Sequence, residues 1–256
     1  MDKQLLFIKL GGSVVTDKGK AKSVRKDKIL RLARQTASLK KDFNTVVFIG
    51  AGSFGHPVAF KYRNNLKAGS AKIKLACREI AGIVVDELVK AGLQAKILEP
   101  DRVTTYESGK LTDASLDLLT KLLKEGVVPV FHADIVEDRK MGSMILSMDK
   151  LLTDLAIFFK KNDIRVERAI FVGSSAGIVI NSEGRKKTIR KITRKSLAKL
   201  IDRQPLFYRQ RTKDVSGGME YKVDQCLKLA DAGIESNLTD DLFRVRTLVT
   251  LQESED

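Results

Sequence analysis

Short apolar runs rich in β-branched and aromatic residues recur along the chain, at Leu5 to Leu10, Thr45 to Ile49, Val127 to Phe131 and Arg168 to Val172, and the more polar Gln94 to Leu98 also reads as a strand. Runs of this length and composition predict buried strands. Between them the apolar positions change to helical spacing. Residues 24–41 carry Ile29, Leu30, Leu32, Ala33, Ala37 and Leu39 among charges, which predicts an amphipathic helix. A short helix is predicted from Val58, broken near Asn64-Asn65. A longer one runs from Ser70, as N-cap, to Ala91, with Gly92 as its stop. Further helices are predicted over Ser115 to Glu125, from Ser147 to about Phe159, and after Gly218 through Ala232, with Met141 to Leu146 returning as a hairpin. Strands alternating with helices imply an α/β fold, a three-layer αβα sandwich with a mostly parallel central sheet.

Chemistry concentrates where two strands end. Thr45 to Ile49 runs into Gly50-Ala51-Gly52-Ser53-Phe54-Gly55-His56-Pro57, and Leu5 to Leu10 into Gly11-Gly12-Ser13. Glycine turns let backbone N–H groups converge on an anion, and a following helix adds the positive end of its dipole. On the Gly50 stretch alone, a phosphate cradle and a plain tight turn are equally good readings. The other loop adds Lys9 inside an apolar strand, a costly placement unless its ammonium emerges beside anions. A third glycine pair, Gly217-Gly218, opens a helix with Lys222 one turn in, either an anion site or a structural cap.

Lys9-Leu10-Gly11-Gly12-Ser13 with Lys18, the Gly50 to Pro57 loop, and Asp214-Val215-Ser216-Gly217-Gly218-Met219 with Lys222 together resemble the amino acid kinase superfamily and, within it, the isopentenyl phosphate kinases. The resemblance implies one domain over residues 1–256, with an acceptor-binding lobe over about 1–160 and a nucleotide-binding lobe over about 161–256. It implies ATP-dependent phosphorylation of isopentenyl phosphate to isopentenyl diphosphate, with magnesium, in a homodimer. Catalytic roles fall on Lys9, Lys18, His56, Asp149 and Lys222. Nucleotide contacts fall on Lys9, Gly11, Gly12, Ser13, Gly52, Ser174, Gly218 and Lys222, and acceptor contacts on Ala51, Gly52, His56 and Met148. Departures from the family pattern begin in the middle of the chain. Ala133 and Met148 stand where glycines are usual, Lys150 replaces an aspartate, and Ser174 and Ala176 occupy the places of two nucleotide-loop aspartates. A kinase of another small phosphate or phosphonate, such as fosfomycin, is the alternative within the enzymes. A catalytically weak descendant binding a ligand or nucleic acid is the alternative outside them.

Composition narrows the setting. The chain has 256 residues, 43% apolar, enough for a sizeable core. No apolar run approaches a membrane span and no signal-peptide pattern opens the sequence, so the cytoplasm is the expected location. Cys77 and Cys226 show no metal or redox spacing and are expected to be reduced. No cluster has metal-ligand spacing, and magnesium is expected from the donor's charge alone. His132 is read as structural, since nothing pairs it with a nucleophile. The net charge of +15 includes a block over residues 185–213, with twelve basic residues against Asp202. It is read first as a solvated face and second as a polyanion-binding surface.

Overall fold

The computed structural model describes residues 3–17, 19–174, 177–182, 185–197 and 218–251. Eight strands form the central sheet in the order β12-β14-β13-β9-β1-β2-β6-β3. They are β1 (Gln4–Leu10), β2 (Phe43–Ile49), β3 (Gln94–Leu98), β6 (Val127–His132), β9 (Val166–Val172), β12 (Lys191–Ile192), β13 (Glu235–Thr239) and β14 (Val245–Val249). Every neighbouring pair is parallel except β13 with β14. A second sheet, β5 (Lys110–Ala114), β4 (Thr104–Glu107), β7 (Asp134–Asp138) and β8 (Gly142–Leu146), is fed by the ends of β3 and β6. The expected architecture is the observed one: β1 pairs with β2 on one side and β9 on the other, so one sheet runs through both halves of the chain.

The period of two along β1 distributes the core. Leu5 and Phe7 face one layer, Leu6, Ile8 and Leu10 the other. The first layer holds α6 (Leu116–Lys124), α7 (Met148–Lys161) and α8 (Gly218–Asp231), and its centre is aromatic. The Phe7 ring lies 5.3 Å from Phe48 and 5.6 Å from Phe159 of α7. The opposite layer holds α2 (Lys26–Leu39) and α4 (Leu66–Lys90), which pack Ile29, Leu32, Ile80 and Val84 on the sheet. Lys9 shares the parity of Phe7, which sends its side chain toward α7 and α8.

Several local expectations change. The Gly50 stretch leads straight into helix α3 (Gly52–Lys61), six residues before the predicted start at Val58. Pro57 within α3 has no N–H for the carbonyl of Ser53, and that oxygen accepts from Lys22 N instead, at 3.3 Å. Helix α4 begins at Leu66, before the predicted Ser70, because the Asn65 side chain caps it by accepting from Ala68 N at 3.1 Å. The basic block starts on β11 (Arg185–Ile189), which pairs in an antiparallel ribbon with β10 (Ile178–Ser182). Arg194, further along the block, pairs with Asp231. The rest of the block, from 198 to 213, lies outside the described residues. One-turn helices α1 (Gly12–Val15) and α5 (Pro100–Val103) complete the elements used below. Both cysteines are free and buried. Among the described residues no helix is long and apolar enough to cross a membrane.

Candidate active site

Two glycine turns meet at the carboxyl end of the sheet. Gly50 N donates to Leu10 O and Gly11 N to Val172 O, each at 2.9 Å, so the turns after β1, β2 and β9 are stitched together by backbone. Gly12 then packs directly on the second turn. A Cβ at Gly12 would lie 2.4 Å from Gly52 N, and one at Gly50 would lie 2.6 Å from Gly12 N. Gly52 also has φ +52°, a conformation that side chains with a Cβ disfavour. The two motifs singled out in the sequence therefore form one backbone surface.

Thr16 fastens it. Its fully buried hydroxyl donates to Gly12 O at 2.6 Å and accepts from Ser53 N at 2.9 Å, tying the start of α1 to the start of α3. Sequence reasoning missed Thr16, because its second partner, Ser53, lies 37 positions away. Ser53 Oγ in turn accepts from Ser23 N at 3.2 Å, so the segment after Thr16 folds back over α3. Lys18 lies in that segment, outside the described residues.

Beside the turns sits a buried ion cluster. Lys9 Nζ is 3.0 Å from Asp149 Oδ1 and 3.1 Å from Oδ2, and Lys222 Nζ is 3.2 Å from Oδ1. Lys9 and Asp149 are 7% and 5% exposed. Helix starts supply two of the three groups. Ser147 caps α7 by accepting from Lys150 N, placing Asp149 in the first turn, where the dipole favours a carboxylate. Lys222 lies one turn into α8. Burial pulls Lys9 down to about 8, with Asp149 resisting and the Lys222 charge adding to the fall. Burial also opposes the charge on Asp149, but the two ammonium groups outweigh it and hold the carboxyl below its usual range. Burial likewise works against Lys222, yet the attraction of Asp149 keeps its pKa above the ordinary lysine value. Two lysines sharing one carboxylate leave a net positive charge, with the proton on Lys9 the looser of the two.

The remaining predicted residues take these places. Ser13 and Ser174 meet, the Ser174 hydroxyl donating to Ser13 Oγ at 3.0 Å, which brings the β9 turn onto the first glycine turn. His56 stands on α3 four residues after Gly52, on the same side of the helix one turn on. Ala51 is the buried N-cap of α3, and Gly218 opens α8 with φ +66°. Met148, expected against the acceptor, is 2% exposed and stands next to Asp149 at the start of α7, packed in the aromatic-centred core. The backbone cradle and the buried ammonium groups suit a nucleotide's phosphates. Both oxygens of Asp149 are contacted by lysines, so this carboxylate orients cations already present.

Comparison with known proteins identifies the family. The model of the Amino acid kinase family matches residues 4–240. The isopentenyl phosphate kinase of Methanocaldococcus jannaschii is 28% identical over 240 residues, covering 88% of this chain and 87% of that protein. That of Methanothermobacter thermautotrophicus is 27% identical over 248 residues, covering 91% and 90%. A solved isopentenyl phosphate kinase structure superposes with a TM-score of 0.76 at 23% identity, over 96% of this chain and 100% of that one.

Proposed function

The chain belongs to the amino acid kinase family, and from that premise we propose that it phosphorylates isopentenyl phosphate to isopentenyl diphosphate with ATP. The observation that carries this reading is the pair Lys9 and Lys222 on one buried carboxylate, at the end of the strand whose glycine turn backs onto the second glycine turn. Such a site holds phosphates by charge and by backbone N–H groups, and the named relatives act on a monophosphate acceptor.

The acceptor explains why no general base is needed. An oxygen of isopentenyl phosphate, already anionic, attacks the γ-phosphorus, a new P–O bond forms, and the bond to ADP breaks. Catalysis then consists of positioning and charge neutralisation. Lys9 and Lys222 hold the donor phosphates, Gly11, Gly12 and Gly52 offer backbone contacts, and Ser13 with Ser174 borders the nucleotide. His56 holds the acceptor phosphate. Asp149 keeps the two lysines in register and takes no proton. Lys18 is assigned to the transferred phosphoryl group through the family pattern. Magnesium would come in with the nucleotide and offset the charge of its phosphates, and no residue of this site is assigned to it. A homodimer and a cytoplasmic location belong to the same reading, as does the division of the chain near residue 160 into acceptor and nucleotide lobes.

The test is ADP release with ATP and magnesium against isopentenyl phosphate, dimethylallyl phosphate and fosfomycin, with Lys9→Ala as control. Turnover of the isoprenoid phosphates that disappears in the variant supports the proposal. Turnover of fosfomycin alone, or of none of them by folded protein, overturns it.

A further inference from the structure

A second buried cluster lies where the central sheet hands over to the four-stranded one. His132 closes β6 with no exposed surface, Asp134 opens β7 at 1% exposure, and Glu99 follows the end of β3. The ring of His132 places Nδ1 3.0 Å from Ala133 O. A carbonyl only accepts, so a neutral imidazole carries its proton on Nδ1 and turns the Nε2 lone pair inward. What it meets is another acceptor, Glu99 Oε2, at 3.1 Å. Nε2, both oxygens of Glu99 and Oδ2 of Asp134 are all buried without a well-formed hydrogen bond, although Lys74 Nζ faces Asp134 Oδ2 and Arg78 faces Glu99 Oε1 as ion pairs, each at 3.3 Å. One donor atom from each of the three residues lies within 4.8 Å of the others.

We propose that Glu99, His132 and Asp134 bind one divalent transition-metal ion of the zinc type, at a site separate from the magnesium that travels with ATP. An imidazole whose other nitrogen donates to a backbone carbonyl is oriented in the way metal-bound histidines are. The 3.1 Å between Nε2 and Oε2 is close to the edge of a tetrahedron with bonds of about 2.0–2.2 Å. One nitrogen and two carboxylate donors suit zinc, cobalt or nickel over magnesium. Charge is compatible as well. Two carboxylates neutralise the ion, Lys74 keeps its 2.5 Å contact with Asp101 when its 3.3 Å contact with Asp134 is given up, and the exposed Arg78 stays at the rim, 3.3 Å from Glu99 Oε1. The ion would staple β3 and β6 to the start of β7. That junction carries no group of the phosphoryl-transfer site, so the proposal stands whether or not the kinase reading does.

The occupant that competes with a metal is a proton, which would make His132 an imidazolium paired with Glu99. Tag-free protein, stripped with a chelator and free of nucleotide, is titrated with Zn²⁺ and Co²⁺. Retained metal is measured after gel filtration, with the visible Co²⁺ spectrum and melting temperature alongside. The expected result is about one equivalent retained, a band typical of low-coordinate Co²⁺ and a raised melting temperature, with affinity weakened at least about tenfold in His132→Ala and in Glu99→Gln. Glu99→Gln keeps the volume of the side chain and serves if His132→Ala fails to fold. The site is overturned if wild-type protein retains no metal, if the variants retain as much, or if nitrogen NMR finds both ring nitrogens of His132 protonated at pH 7 in metal-treated protein.

Discussion

Gly12 lies backbone to backbone against Gly52, so close that a methyl group on Gly12 would sit 2.4 Å from the Gly52 amide nitrogen and 2.6 Å from its Cα. Neither obstacle is a flexible side chain. Gly12→Ala must push the two turns apart, and a misplacement of about 1 Å in a positioning site costs about 100-fold in rate. Steady-state kinetics of Gly12→Ala should show that loss in kcat/KM. Gly82→Ala is the control, because nothing lies within 4 Å of a Cβ there and the residue is in α4. It should raise stability by about 0.5–1 kcal/mol with unchanged turnover.

Thr16→Val keeps the shape of the side chain and removes the hydroxyl between Gly12 O and Ser53 N. Gly12 O retains a donor in Thr16 N at 2.9 Å, but Ser53 N loses its partner in a buried setting. An unsatisfied buried donor costs about 1–3 kcal/mol. Denaturant unfolding should report a loss of that size, and kcat/KM should fall with it, because the same bond aligns the two turns. Full activity with reduced stability would assign Thr16 to folding alone.

These two cases mark what was legible in the sequence. Glycine turns after apolar strands, and a lysine inside one of them, are visible because each violates a local rule: glycine weakens regular structure, and buried ammonium is expensive. The alternation of strands and helices exposed the layered sheet in the same way. Contacts between distant residues left no such trace. Nothing local marks Thr16 as a clamp, or joins Glu99 to His132 across 33 positions. The first part of helix α3, before Val58, was hidden because two glycines and a proline argue against a helix, and the bond from Lys22 N to Ser53 O that accommodates Pro57 is tertiary. The start of α4 was missed because Asn65 caps a helix whose first turn holds a glycine, Gly69, packed against Tyr62.

His56→Ala should reduce kcat with the phosphate acceptor while leaving the KM for ATP near its wild-type value. If the imidazole donates to the acceptor phosphate in a water-excluded site, its loss removes about 2–4 kcal/mol of transition-state stabilisation. An equal effect on both substrates, or none, would remove His56 from the acceptor site.

Lys9 trades stability for function. Its pKa falls from 10.5 in the unfolded chain to about 8 in the folded protein, chiefly through burial. The unfolded chain therefore binds the proton more tightly. The resulting penalty is complete below pH 8 and fades as the pH rises toward 10.5. Lys9→Met should lose about 100–1,000-fold in kcat, yet melt no lower than wild type at pH 7. Its advantage in melting temperature should shrink between pH 8 and 10.5. A large drop in melting temperature at pH 7 would show that the ion cluster stabilises the fold.

The same proton governs how activity depends on pH, and Asp149 sets where. In the free enzyme kcat/KM for ATP should decline as pH rises through about 8, because neutral Lys9 no longer attracts the donor phosphates. Asp149→Asn removes the charge that resists this deprotonation and leaves burial and the repulsion from Lys222 unopposed. The falling limb should then move below pH 8, so that activity lost at neutral pH returns in part on acidification. Two buried ammonium groups without a carboxylate should also destabilise the variant by about 3–5 kcal/mol. The direction of the pH shift separates the two effects. Simple unfolding lowers activity across the range, whereas a shifted limb can arise only from a changed lysine charge. A profile for folded Asp149→Asn with its limb still at pH 8 would mean that some other group holds the proton on Lys9.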